Sequence, residues 1–257
     1  MPSESQPRSP DPRPPAHQRG TYGADLILAA LDFLRGVSET GGSPFGSPTL
    51  ASQKENLRRW ADHLGLLLDP EIITAKLTRG GQEHDFFREG ERIFKVTRNG
   101  VFGLSPGIEL ALVSSAQDAR RFHLWEASPL EYLERLHLQN LLVPGLNAFE
   151  GLLAQAGDDM AIVTSQPRFD IVPVSTEEID AWIASLGLVK ITTAAYYRAE
   201  DNLGVFDAHD RNLVRAGEDV LVPFDVIPCR PAAGFLAFID ETLAAGHTLR
   251  AVRTVTT

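Results

Sequence analysis

One cysteine, Cys229, stands among 257 residues, so no disulfide can form within the chain and a disulfide-stapled scaffold is excluded. Cysteine-rich metal sites go with it, and the seven histidines are scattered without ligand spacing. Long apolar runs are also missing: the longest candidate, residues 26–34, is broken by Asp32, far short of a membrane-spanning helix. Neither a membrane anchor nor a secretory apolar region is predicted, and the expected location is cytoplasmic. Positive charge is in deficit, with 24 Lys and Arg against 34 Asp and Glu and a net charge of −10. That balance argues against a nucleic-acid binder, which relies on clustered Lys and Arg at the phosphate backbone. No Gly-x-Ser-x-Gly elbow occurs, so a serine hydrolase is disfavoured. What is present, 43% hydrophobic and 23% charged residues, is enough to bury a core in one domain.

Six of the 17 prolines fall in residues 1–20, and that tail is expected to be disordered. Residues 21–69 read as an N-terminal helical extension whose two helices are expected to pack against the outside of the body that follows. Ile27, Leu31 and Leu34 recur at helical spacing before Gly36, and residues 37–50 form a Gly/Ser/Pro linker. A second helix starts at Ser52 with Glu55 as capping partner, carries Leu57, Trp60, Leu64 and Leu68, and stops at Asp69-Pro70. From residue 70 the pattern turns to short strands. Residues 85–88 and 92–97 flank a turn at Gly90, and alternation sets Ile93, Lys95 and Thr97 on one face, opposite Phe94 and Val96. A poorly patterned stretch follows to about Trp125. Ser128-Pro129-Leu130-Glu131 then caps a helix running to about Leu142. Residues 149–154 and 160–165 read as a hairpin, and Ser175 with Glu178 caps another helix. Further strands are expected around Tyr196-Tyr197, Val205-Phe206, 213–215 and 220–224, before a last helix over about 232–245.

The sharpest local signal is Asp207-Ala-His209-Asp210-Arg211-Asn212, followed by a two-strand hairpin and Asp225 at its end. Phosphoryl transfer needs such a set. An acidic group orients the attacking hydroxyl, an amide oxygen and a carboxylate hold Mg²⁺, and a lysine, here Lys95, meets the nucleotide phosphates.

These motifs resemble the protein-kinase-like superfamily, which includes the aminoglycoside and choline kinases. Asp207 and Asn212 have its catalytic-loop spacing, His209 matches the small-molecule kinase form, and Asp225 matches the metal-binding Asp of Asp-Phe-Gly. Gly-Gly-Gln-Glu-His-Asp-Phe-Phe, Ser-Pro-Leu-Glu-Tyr-Leu-Glu-Arg-Leu, Val-Thr-Ser-Gln-Pro and Asp-Ala-His-x-x-Asn are similar to the kinase domain found in polyvalent proteins of phages and mobile elements. The resemblance spans about residues 70–230. It implies an α+β, reduced two-lobed kinase-like fold over 70–257. An antiparallel N-lobe sheet (about 70–165) would carry an αC-like helix from Pro129, and a small C-lobe (about 166–257) would follow. It further implies ATP and Mg²⁺ as cofactors, with Lys95 on the phosphates and Glu131 or Glu134 fixing Lys95. Glu131 also fits a capping box, whereas Glu134 shares a face with Leu130, Leu138 and Leu141 and needs a partner such as Lys95. Thr164, Ser165 and Gln166 would form the adenine hinge. Gly80 and Gly81 would form the phosphate loop, with His84 aimed into the cleft.

Several positions depart from the kinase pattern. Only Gly80-Gly81 stands where a Gly-x-Gly-x-x-Gly loop is usual, Val205-Phe206 replaces His-Arg, and Asp225 is followed by Val226-Ile227. The 32 residues after Asp225 predict a shortened C-lobe. The expected activity is phosphoryl transfer to a hydroxyl on a protein Ser, Thr or Tyr or on a small molecule. Two alternatives stay open: AMP transfer on the same scaffold, and a nucleotide-binding pseudokinase that serves as an interaction module.

Overall fold

Apolar residues at helical spacing build the first layer of the molecule. In the computed structural model, which describes residues 19–40, 49–98, 100–110, 120–154, 160–170, 172–192, 194–216 and 220–244, helix α1 (Arg19–Thr40) buries Ile27, Ala30 and Leu31 completely. It runs through Gly36 rather than ending there. A helical glycine costs only about 1 kcal/mol relative to alanine, and burial of the flanking face offsets it. Helix α2 (Leu50–His63) is capped three residues before the expected Ser52, by Thr49, which accepts from the Ser52 N–H at 3.2 Å. Asp69-Pro70 opens an element instead of closing one: Asp69 caps α3 (Pro70–Thr74), which has proline in its first turn. Of the tail expected over residues 1–20 and the linker expected over 37–50, residues 1–18 and 41–48 lie outside the described residues, whereas 19–20 and 37–40 are helical within α1 and Leu50 opens α2.

Strands β1 (His84–Glu89) and β2 (Arg92–Thr97) form the expected hairpin around Gly90, whose φ is +57°. The stretch expected to be poorly patterned holds a second hairpin, β3 (Leu104–Leu110) with β4 (Arg120–Glu126). Ser105, Pro106 and Gly107 are weak strand formers, so this pairing owes more to the facing strand than to local propensity. Helix α4 (Pro129–Leu142) begins with the expected capping box of Ser128 and Glu131. Strands β5 (Ala148–Ala154) and β6 (Met160–Pro167) complete an antiparallel sheet of order β1-β2-β6-β5.

Helix α5 (Thr176–Ser185), again with its expected box from Ser175 and Glu178, leads into β7 (Val189–Thr192), β8 (Ala195–Arg198) and β9 (Leu203–Phe206). The β10 (Val214–Ala216) and β11 (Val220–Val222) hairpin intervenes before β12 (Ile227–Cys229), which joins the sheet β12-β9-β8-β7. Helix α6 (Ala233–Ala244) lays Phe235, Phe238 and Ile239 on that sheet. The described chain is thus a mixed α/β fold of antiparallel sheets and six helices.

The two N-terminal helices are not an outer layer, as their position ahead of the strands suggested. Ile27, Leu31 and Leu57 share one core with Tyr132 and Leu133 of α4 and with Phe149 and Leu152 of β5. Among the described residues, no helix is long and apolar enough to cross a membrane.

Candidate active site

Strand pairing alone brings the two key aspartates together. Phe206 at the end of β9 is the register partner of Ile227 at the start of the antiparallel β12, so Asp207 leaves and Asp225-Val226 arrives at the same sheet edge. The β10–β11 hairpin spans the interval, and the Asp225 N–H donates to the Asn212 carbonyl at 3.3 Å. Ala208, Leu213 and Val226, interleaved with these polar residues, are buried in the core beneath, which anchors the loops. Above them lies a cleft of about 920 Å³, roofed by residues 80–84 and by Ile93 and Lys95.

Lys95 reaches this cleft because β2 alternates. Phe94 and Val96 enter a core with Phe87 and Val163, and Lys95 faces the other way. Its Nζ donates to the Phe224 carbonyl at 3.1 Å and to Asp225 Oδ1 at 3.2 Å, and it lies 5.5 Å from the Phe224 ring centroid. Arg135 of α4, only 3% exposed, meets the same oxygen. Its Nη2 donates to Asp225 Oδ1 and to the Asp225 carbonyl, both at 3.2 Å, and its Nε donates to the Val226 carbonyl at 3.2 Å. Its Nη1 donates to Glu83 Oε2 at 2.5 Å, and that carboxylate also accepts the Leu104 N–H at 3.2 Å. Burial pushes the Asp225 carboxyl upward, but Lys95, Arg135 and His84 outweigh it and hold the group below its ordinary value. For Glu83, burial wins over Arg135 and its pKa is raised.

The phosphate-loop candidates form a tight turn. The Gly80 N–H donates to Asp85 Oδ1 at 3.1 Å, and Arg98 closes the turn on the Gly81 carbonyl. A side chain at Gly80 would strike the His84 carbonyl. His84 borders the cleft, with Nε2 2.9 Å from the Tyr132 hydroxyl. Burial first, then the nearby Lys95, pushes its pKa down to about 3, so its imidazole is neutral.

Asp207 has φ +55°, a left-handed turn conformation that aspartate tolerates. Asn212 Nδ2 donates to both its Oδ2 and its carbonyl at 2.8 Å. His209 Nδ1 accepts the Arg211 N–H at 3.2 Å, which leaves the ring proton on Nε2, 3.4 Å from Asp207 Oδ1. Each Asp207 oxygen therefore has its own neighbour, and the Asn212 Oδ1 is the end of that amide free to accept.

The structure brings Lys95, Asp207, His209, Asn212, Asp225, Gly80, Gly81 and His84 to one cleft. It does not bring the helix glutamates to Lys95. Glu131 is held in its capping box and accepts from Ser105 Oγ at 3.1 Å. Glu134 pairs with Arg35 of α1 at 2.8 Å and with Arg230 at 3.7 Å. Helix rotation is the cause, since the stripe of α4 turned toward the back of the cleft wall holds Tyr132, Arg135 and Gln139, which bond His84, Glu83, Asp225 and Val226. The hinge triplet is also divided. Thr164 and Ser165 are fully buried within β6, where Ser165 accepts from Arg92 Nε at 2.8 Å and donates to Glu150 at 2.5 Å. Only Gln166 borders the cleft, its Nε2 donating to Asn147 Oδ1 at 2.7 Å and to the Phe224 carbonyl at 2.9 Å. Residues 167–170 continue the wall, with Phe169, Ile93 and Val214 supplying apolar surface suited to a planar base.

Sequence reasoning missed Arg135 and Glu83. The available signal was Arg135 with Gln139, a polar pair at i, i+4 that flanks buried Leu136 and Leu138. Among the described residues, no three His, Cys, Asp or Glu side chains cluster as a metal site. Asn212 and Asp225 present a few oxygens at the cleft, which suits a hard cation that takes its remaining ligands from phosphates and water.

Residues 113–227 match the family described as Serine/Threonine/Tyrosine Kinase found in polyvalent proteins, which supports the resemblance carried by the motifs. The matched span includes Asp207, Asn212 and Asp225; Lys95 and the Gly80-Gly81 turn lie ahead of it. No curated protein and no solved structure matches the chain.

Proposed function

We propose, on the premise that residues 113–227 are kinase-family sequence, that this chain transfers a phosphoryl group from ATP, with Mg²⁺, to a hydroxyl acceptor on a protein or small molecule. The body that does so is a reduced two-lobed kinase-like fold. The observation that carries the reading is one cleft shared by Lys95, Asp207, Asn212 and Asp225. Lys95 would neutralise nucleotide phosphates, and the oxygens of Asn212 and Asp225 would hold the cation. Mg²⁺ supplies charge neutralisation on the phosphate oxygens when bound. Asp207 orients the acceptor hydroxyl and takes its proton, kept in place by Asn212, with His209 Nε2 3.4 Å from its other oxygen. Catalysis is then positioning plus electrostatics. Intact-mass spectrometry after incubation with Mg²⁺ and ATP, together with an acceptor screen, tests this. A phosphate gained by the wild-type protein or an acceptor, and lost with Asp225→Ala, supports it, whereas an AMP adduct assigns nucleotidyl transfer instead. Absence of both nucleotide binding and transfer refutes it. One observation favours a second reading, a nucleotide-binding module without transfer: Lys95 has Asp225, and no helix glutamate, as its ionic partner. ATP stabilisation with no product in any screen would select that reading.

A further inference from the structure

Helix α4 turns one polar stripe toward the back of the cleft wall, and its three members grip two separate segments. Tyr132 holds His84, Arg135 holds Glu83 and Asp225, and Gln139 Nε2 donates to the Val226 carbonyl at 2.7 Å. The guanidinium is the shared member. Three of its four hydrogen bonds go to Asp225 and Val226, and the fourth goes to the carboxylate that ends the Gly80–Glu83 turn. A planar fork cannot release one edge without turning the other, and at 3% exposure water does not fill in for a lost partner. No hydrogen bond or ion pair joins Glu83 to Asp225 directly.

We propose that Arg135 is a positioning residue for Asp225, and that it couples the turn at residues 80–83, through Glu83, to that carboxylate. The helix side chain that orders the site is then a cation that fixes the proposed metal-binding aspartate, where a helix glutamate fixing Lys95 was expected. The metal role of Asp225 rests on the function proposed above. The coupling itself does not, so it is tested on the protein alone.

Amide hydrogen exchange of wild type, Glu83→Gln, Arg135→Lys and Glu134→Gln, without added nucleotide, reads it. Glu83→Gln leaves every Arg135 bond to Asp225 chemically possible, yet exchange is expected to rise by about threefold or more both at residues 80–84 and at 225–227. Arg135→Lys, which keeps the charge but loses the fork, is expected to do the same. Glu134→Gln, whose partners are Arg35 and Arg230, should change neither segment. An effect of Glu83→Gln confined to residues 80–84 overturns the coupling. Should Arg135→Lys fail to fold, Glu83→Gln carries the test by itself. Where the wild type transfers phosphate, Arg135→Lys should raise the Mg²⁺ concentration needed for half-maximal rate by about tenfold while the KM for ATP stays within about twofold. An unchanged Mg²⁺ requirement overturns the positioning role. A wild type that neither binds ATP nor transfers phosphate overturns the kinase reading and leaves the exchange result to decide the coupling.

Discussion

Two cations share one oxygen of Asp225, and their unequal surroundings separate their roles. Arg135 is enclosed, whereas Lys95 stands at the cleft with 16% of its side chain exposed. Removing Lys95 therefore leaves the aspartate with a buried partner. Lys95→Ala is expected to reduce transfer by about 100-fold or more while the melting temperature moves little, because the lost interactions matter most against phosphate; parallel rate and thermal-melt measurements check this. His84 makes a prediction about acid. Its folded pKa of about 3 lies below the ordinary 6.5, so between these values the unfolded chain binds the extra proton and folding weakens as pH falls. Asp225, also depressed, acts in the same direction, and Glu83, raised, acts in the opposite one. His84→Gln keeps a partner for Tyr132 and should flatten the stability curve between about pH 6.5 and 3, as measured by urea unfolding across that range. An equal slope in both proteins would remove His84 from the acid response. That Asp207, Asn212 and Asp225 would meet at one cleft could be inferred from residue type and spacing. The Glu83–Arg135 pair could not, because it depends on which side of α4 meets the cleft.

At the scale of elements, the capping boxes at Ser128/Glu131 and Ser175/Glu178 were fully legible, since each is a local exchange of hydrogen bonds over three residues. Hairpins with a glycine turn or strong alternation, such as β1–β2 and β5–β6, were legible for the same reason. The β3–β4 hairpin was not, because Pro106 and Gly107 hide its strand character and only the long-range register Gly107 to His123 reveals it. Helix α1 was seen but placed too far out. Leu31, fully buried against the α4 and β5 core, tests that placement. Leu31→Ala should cost about 2–5 kcal/mol in denaturant unfolding, whereas an outer helix would lose well under that. A smaller variant effect sits at the turn: Gly80→Ala must displace the His84 carbonyl and should weaken nucleotide binding, read by calorimetry, without lowering the melting temperature as Leu31→Ala does.

The whole molecule is one chain of dependencies running from the N-terminal helices to the site. Ile27 and Leu57 pack on the side of α4 that carries Leu133, and the other side of α4 presents Arg135 to Asp225. The orientation of that helix is thus set by residues far from the cleft, a relation that no window of sequence displays. Among the described residues, no helix is long and apolar enough to cross a membrane. Cys229, the lone thiol, sits on β12 beside a small cavity of about 110 Å³ bordered by Glu131, Glu134 and Arg135 of α4. Burial, followed by those two glutamates, pushes its pKa up, so alkylating reagents should meet a sluggish thiol at neutral pH. The wild-type chain consequently carries its own chemical clock for the joint between α4 and the strand that follows Asp225: whatever loosens that joint shortens the labelling half-time, with no probe to engineer and no second thiol to confuse the count.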